Sequence, residues 1–184
     1  MGTGTLESEF LKFSIDKLEQ LMEQMETCIG KLTPEQVWTR GSEQQNAIGN
    51  LLLHLNGNVR QWILGGLGGA PDTRARDLEF AARQGAPPSE LLANLRSTVK
   101  QAVAVLGGLS AQQLIERITI QGYEGTKLAA IYHVVEHFAG HTFQIIFLTK
   151  LLTGEDLGFY AHLAESGSAS QPASVRRSPF PSRP

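Results

Sequence analysis

The stretch TKLAAIYHVVEHFAGHTFQIIFLTKLLT, Thr126 to Thr153, decides how the rest of the chain is read. It holds neither proline nor a turn cluster, and it is the longest and most apolar of the helical segments. At the standard rise it makes a helix of roughly 40 Å. Three histidines, His133, His137 and His141, follow one another four residues apart. Residues at that spacing share nearly one helix face, so two successive imidazoles can present themselves to a single divalent ion. The pair could be His137 with His141 or His133 with His137, and spacing does not choose between them.

Three other segments carry the same periodicity. Leu11, Ile15, Leu18, Met22, Met25 and Ile29 draw one apolar stripe that ends at Gly30. A second helix is expected to open at a capping box, Ser42-Glu43-Gln44-Gln45, and to run through Ile48, Leu51, Leu52, Leu55, Val59 and Trp62 to Gly65-Gly66. A third follows Pro87-Pro88-Ser89 and carries Leu91, Leu95, Val99, Val103 and Leu106. Arg117 to Tyr123 alternates like a strand but has no partner in this reading, so it is expected to be an extended connector. Four amphipathic helices predict an all-α four-helix bundle over residues 1–163. The long loop from Gly66 to Pro87 lets the second and third helices run parallel. Residues 164–184 have the composition of a disordered tail.

The composition excludes several classes of function. The 184 residues carry 16 basic and 18 acidic side chains, a net charge of −2, which offers no general attraction to nucleic acid or anionic lipid. Only Arg60 stands near Trp62, too little basic charge for a base-stacking platform. A single cysteine, Cys28, rules out an intrachain disulfide. There is neither a signal-peptide pattern nor an apolar run of membrane-spanning length. A cytoplasmic protein with no membrane or nucleic-acid partner is expected.

A third ligand would have to come from another helix, and His54 is the candidate. It lies mid-way along the second helix on the side of Leu51 and Leu55, where an imidazole is costly unless its nitrogens are satisfied. Asn50 and Asn58, one turn to either side, extend it into a polar ridge. Three neutral imidazoles leave positions on the ion open for water or substrate, the catalytic arrangement.

With these residues in place the sequence resembles the DinB/YfiT-like superfamily of metalloenzymes. The matching pieces are Asn50 to Asn58, Arg76-Asp77-Leu78-Glu79-Phe80, and above all His133 to Gln144 followed by Leu148 to Leu157. The resemblance implies an up-down-down-up bundle and a divalent ion, zinc, nickel or similar, held by His54, His137 and His141. His133 then falls to a supporting or pocket role with Asn50, Asn58 and the retained Gln144. Phe143 stands where the family often has glycine, a departure that would narrow the site or alter partner packing. Glu136 adjoins His137 and therefore points about 100° away from it, as a salt-bridging or capping residue. Glu79 and Asp77 either fold over the mouth of the bundle or anchor the loop to Arg74 or Arg76.

Characterised members imply a transferase working with a low-molecular-weight thiol on a small-molecule substrate, no catalytic residue beyond the metal being identified. The alternatives are a metal-dependent hydrolase and a non-catalytic bundle that binds a metal or ligand or packs its histidines in the core. Helix faces that are apolar nearly all round predict a homodimer.

Overall fold

The computed structural model describes residues 4–161, so the tail 164–184, the boundary at residue 163 and His162 lie outside the described residues. Helix α1 spans Leu6–Ile29, and a single turn, α2, spans Pro34–Val37. Helix α3, Ile48–Val59, continues without a break into a wider π-helical segment, Arg60–Gly65. A short α4, Arg76–Ala81, interrupts the long loop before α5, Pro88–Gly107, and the single turn α6, Ala111–Leu114. Strands β1, Arg117–Ile120, and β2, Tyr123–Thr126, lead directly into α7, Lys127–Thr153.

The four long helices α1, α3, α5 and α7 form the bundle, with α1 packed on α5 and α7, and α3 packed on the same two. Residue pairs give their directions. Lys31, just past the end of α1, reaches Glu155, just past the end of α7, at 2.8 Å, so those helices are parallel. His54 meets His137 while Trp62 meets His133, so α3 and α7 are antiparallel. Val105 near the end of α5 lies beside Gly68, just past the end of the α3 segment, so α3 and α5 are parallel. The topology is up-down-down-up, and the crossover between α3 and α5 is the long loop.

Local chemistry accounts for the helix ends. The Thr126 hydroxyl accepts the Ala129 N–H at 3.1 Å at the start of α7. Gly154 ends that helix in the left-handed region, φ 69°, and donates to Lys150 O. Along α7 the residues Ile131, Val134, Phe138, Thr142, Ile145 and Thr149 are buried, a stripe advancing by threes and fours. Each of the three histidines immediately precedes a member of that stripe. They therefore lie about 100° around from the core, on the ridge facing α3.

Two expectations need correction. Helix α3 begins at Ile48, because Asn50 Oδ1 accepts the Ala47 N–H at 3.0 Å and caps the helix there. Ser42 to Gln45 forms a separate turn, closed by Gln45 N–H to Ser42 O and tied down by Arg40, which donates to Gln45 O and to Asn50 Oδ1. The segment at 117–123 is also more than a connector. Its first four residues pair antiparallel with the four that precede α7, Arg117 facing Thr126 and Ile120 facing Tyr123. The two-residue turn is Gln121-Gly122, both at positive φ (53° and 78°), the backbone that a tight hairpin requires.

The core contains Phe138 at 0 % exposure, whereas Phe143, barely more than one turn on, is 52 % exposed. Phe138→Ala should lower unfolding free energy by about 3–5 kcal/mol and Phe143→Ala by less than about 1 kcal/mol, measured by urea denaturation. Equal losses at the two positions would contradict this placement of α7.

Candidate metal centre

His54 enters from α3 and is 5 % exposed; His137 and His141 enter from α7. One ring nitrogen from each lies within 4.8 Å of the others. The Nε2 atoms of His54 and His137 are 2.9 Å apart, and the rings of His137 and His141 are 4.4 Å apart, edge to face. Either a hydrogen lies between two facing Nε2 atoms or a cation takes both lone pairs. The structure thus brings together the three histidines singled out from the sequence.

Two of the outer nitrogens, those of His54 and His141, have partners that help to decide the tautomer. Gln144 Oε1 lies 3.0 Å from His141 Nδ1 and can accept its N–H. Glu79 Oε2 lies 2.9 Å from His54 Nδ1. Arg74 holds that carboxylate from the other side with Nε on Oε1 at 2.7 Å and Nη2 on Oε2 at 2.8 Å. Both side chains of this ion pair are largely buried. Gln61 accepts from Arg74 Nη1 at 3.0 Å.

The electrostatics suit a cation. Burial, and then the neighbouring His141, His54, His133 and Arg74, push His137 down to about 3. Burial also lowers His141, against a smaller upward effect of Gln144, and it lowers His133 against Glu136. Such imidazoles are neutral at pH 7, the form that ligates metal. Burial alone would raise the Glu79 carboxyl, but hydrogen bonds from Arg74 and His54 outweigh it and hold the group below its ordinary value. A nitrogen-only donor set beside a buried carboxylate fits a borderline ion such as zinc or nickel.

The supporting residues take different places. His133 does not join the cluster; it stacks beside His137 with ring centroids 5.5 Å apart and lies under Trp62 at 4.3 Å. Asn50 does not hydrogen-bond to a histidine either. Its Nδ2 donates to Glu79 O at 2.8 Å and Ala82 O at 2.9 Å, which pins the segment carrying Glu79. Asn58 is buried with its Oδ1 unpartnered, as is Trp62 Nε1. Glu136 is exposed, turned from the cluster, and forms no ion pair among the described residues. Phe143 points outward and does not narrow the site.

A cavity of about 410 Å³ opens on His54 and His137, with His133 and Trp62 as its floor and Tyr123 and Arg76 toward its mouth. A larger one, about 610 Å³, lies against α3 and α5 and reaches Arg74 and Glu79 but none of the histidines. The smaller cavity is the one beside the candidate chemistry. Trp62 and Arg74 were not legible as site residues. The first reads as a core aromatic, and the second is one of several arginines in a loop.

The family model described as "Protein of unknown function (DUF1572)" matches residues 5–161. No curated protein matches the sequence. Among solved structures, a conserved protein from Enterococcus faecalis is similar with a TM-score of 0.64 and 16 % identity, over 77 % of this chain and 96 % of that one. A DinB-like protein, YjoA, from Bacillus subtilis is similar with a TM-score of 0.60 and 16 % identity, over 83 % of this chain and 97 % of that one. At that identity the likeness carries the fold alone.

Gly57 lies one turn beyond Leu53 on α3, where an added Cβ would stand 2.0 Å from Glu79 Oε1 and 2.9 Å from Arg74 Nε. Alanine normally favours a helix over glycine by about 1 kcal/mol. Here Gly57→Ala should instead destabilise the protein by about 1–3 kcal/mol in thermal or urea unfolding, because the carboxylate must leave its buried partners. A stabilised variant would show that this packing does not hold.

Proposed function

The chain belongs to the DUF1572 family, a DinB-like family, and on that footing we propose that it is a divalent-metal-dependent enzyme whose ion is held by His54, His137 and His141. The observation that carries this reading is the convergence of three imidazole nitrogens within 4.8 Å beside a cavity large enough for a small substrate. A divalent ion there would supply Lewis acidity and lower the pKa of a thiol presented to it. The reaction we propose is a transfer that uses a small thiol as cofactor, carried out in the cytoplasm.

The residues of the chain have separable tasks in this scheme. The three histidines would hold the ion, and the cavity opens beside two of them, His54 and His137. His133 and Trp62 give the cavity an aromatic wall. Arg76, exposed and without an ion pair among the described residues, stands over the Phe80 ring at 4.9 Å, where it can meet an anionic group of the substrate. Among the described residues no helix is long and apolar enough to cross a membrane. The homodimer belongs to the same proposal. Phe143, Phe147 and Leu151, all more than half exposed along one side of α7, are where a second copy would pack.

Elemental mass spectrometry on tag-free protein should find about one zinc or nickel per chain, and none in His54→Ala/His137→Ala/His141→Ala. His133→Ala should keep its metal. Loaded protein that transfers a thiol to an electrophile supports the transferase. Hydrolysis without thiol would make it a hydrolase, and a loaded but inert protein a binding bundle. No metal in the wild type after reconstitution would leave packed core histidines. In the same preparations Phe147→Asp/Leu151→Asp should convert a dimer to a monomer by light scattering, and a monomeric wild type would remove that part of the reading.

A further inference from the structure

Glu79 lies in neither long helix of the site. It is carried by α4, a six-residue helix inside the crossover loop, 25 positions from His54 in sequence. Yet it is one of the most firmly held side chains here. Its backbone carbonyl accepts from Asn50, its Oε1 from Arg74 Nε, and its Oε2 from Arg74 Nη2 and from the His54 ring. On α3 it fills the space that the missing side chain of Gly57 leaves open. Burying a carboxylate and a guanidinium is costly even when they pair, and a well-packed apolar pair of similar size would serve stability as well or better. The arrangement therefore asks for a purpose other than stability.

The geometry points to one. We propose that Glu79 is a positioning residue that accepts the Nδ1–H of His54, fixes that tautomer and aims the Nε2 lone pair at the point shared with His137 and His141. The inference rests on the metal reading above and adds to it a residue outside the ligand set. Arg74 has the complementary task of fixing the carboxylate, and without it Glu79 could swing toward solvent. A carboxylate behind a ligating histidine raises the basicity of the ligand and restricts the ring, and removing such a partner usually weakens metal binding 10- to 100-fold.

A competing arrangement exists in the same contacts. Arg74 Nη2 lies 3.1 Å from His54 Nδ1, and in the opposite tautomer that nitrogen would accept from arginine and place a hydrogen on Nε2. Such a histidine could not ligate through Nε2. The carboxylate lies closer, at 2.9 Å, and Nη2 already donates to it at 2.8 Å, so the Nδ1–H form satisfies all three groups.

Two measurements test the proposal. In metal-free wild-type protein, long-range ¹H–¹⁵N spectra of the imidazoles, with His54 assigned by loss of its signals in His54→Gln, should show His54 protonated at Nδ1. A proton on Nε2 overturns the proposal without recourse to any Glu79 variant. Zinc affinity, measured by competition with a chromogenic chelator, should fall 10- to 100-fold in Glu79→Gln while the stoichiometry stays at one. Arg74→Gln should fall in the same direction with Glu79 still present. Unchanged zinc affinity in a folded Glu79→Gln overturns the proposal and leaves the three-histidine site standing. Wild-type protein that takes up no zinc overturns the metal reading itself, and the metal-directed role of Glu79 with it, whichever tautomer the spectra show.

Discussion

An imidazole taken out of water must place both ring nitrogens, and His54 does so at the centre of the bundle. One nitrogen faces Glu79 and the other faces His137. Much of the structure around it follows from that need. The carboxylate has to be buried to reach Nδ1, so it requires Arg74. Both residues come from the crossover loop, Glu79 within α4 and Arg74 just before it. The loop must then be pinned, which Asn50 does through the carbonyls of Glu79 and Ala82. The parallel placement of α3 and α5 is what makes a loop of that length available over this end of the site.

The bundle was readable because its signals are local and repeated. The stripe on α1 is periodic over many residues, and its members Leu18, Met22, Met25 and Ile29 are buried. The convergence of His54 with His137 and His141 was readable for a related reason. Helical spacing puts successive α7 histidines on one face, and antiparallel packing sets the depth of His54. The choice of His141 over His133 was not available from spacing, since both lie one turn from His137. The structure separates them by the company they keep: His141 meets His54 at 5.1 Å, while His133 turns to Trp62.

What stayed hidden depends on contacts remote in sequence. Glu79 could be seen as a loop anchor or as a group over the bundle mouth; its carboxylate holds Arg74 through both oxygens and reaches His54 through one of them. Asn50 read as a neighbour of His54 on a polar ridge. It is a neighbour along the helix but points to the crossover, which a ridge in one helix cannot reveal. The β-hairpin was missed because its second strand, Tyr123–Thr126, carries too few apolar residues to alternate. Its signal was the Gln-Gly turn, and glutamine at positive φ is a weaker cue than asparagine or aspartate.

The π-helical segment and the hairpin together explain why the cavity opens where it does. Past Val59 the backbone widens to bonds spanning five residues, such as Gly66 N–H to Gln61 O at 2.9 Å, and the side chains that follow are displaced around the axis from their α-helical positions. Trp62 thereby comes to lie over His133. Gly66, at the end of that segment, has no side chain where Ile120 of β1 docks; a Cβ there would stand 2.3 Å from Ile120 Cδ1. That contact seats the hairpin against the end of α3 and sets Tyr123 at the rim. The histidines are thus held by the regular part of the bundle, whereas the cavity beside them is walled by its irregular parts: a π turn, a hairpin and a crossover loop. Regular helices hold the histidines in a geometry that tolerates little change. On the reading proposed above, the irregular walls can vary in sequence without moving the three histidines, and selection among substrates falls to residues such as Trp62, Arg76 and Tyr123.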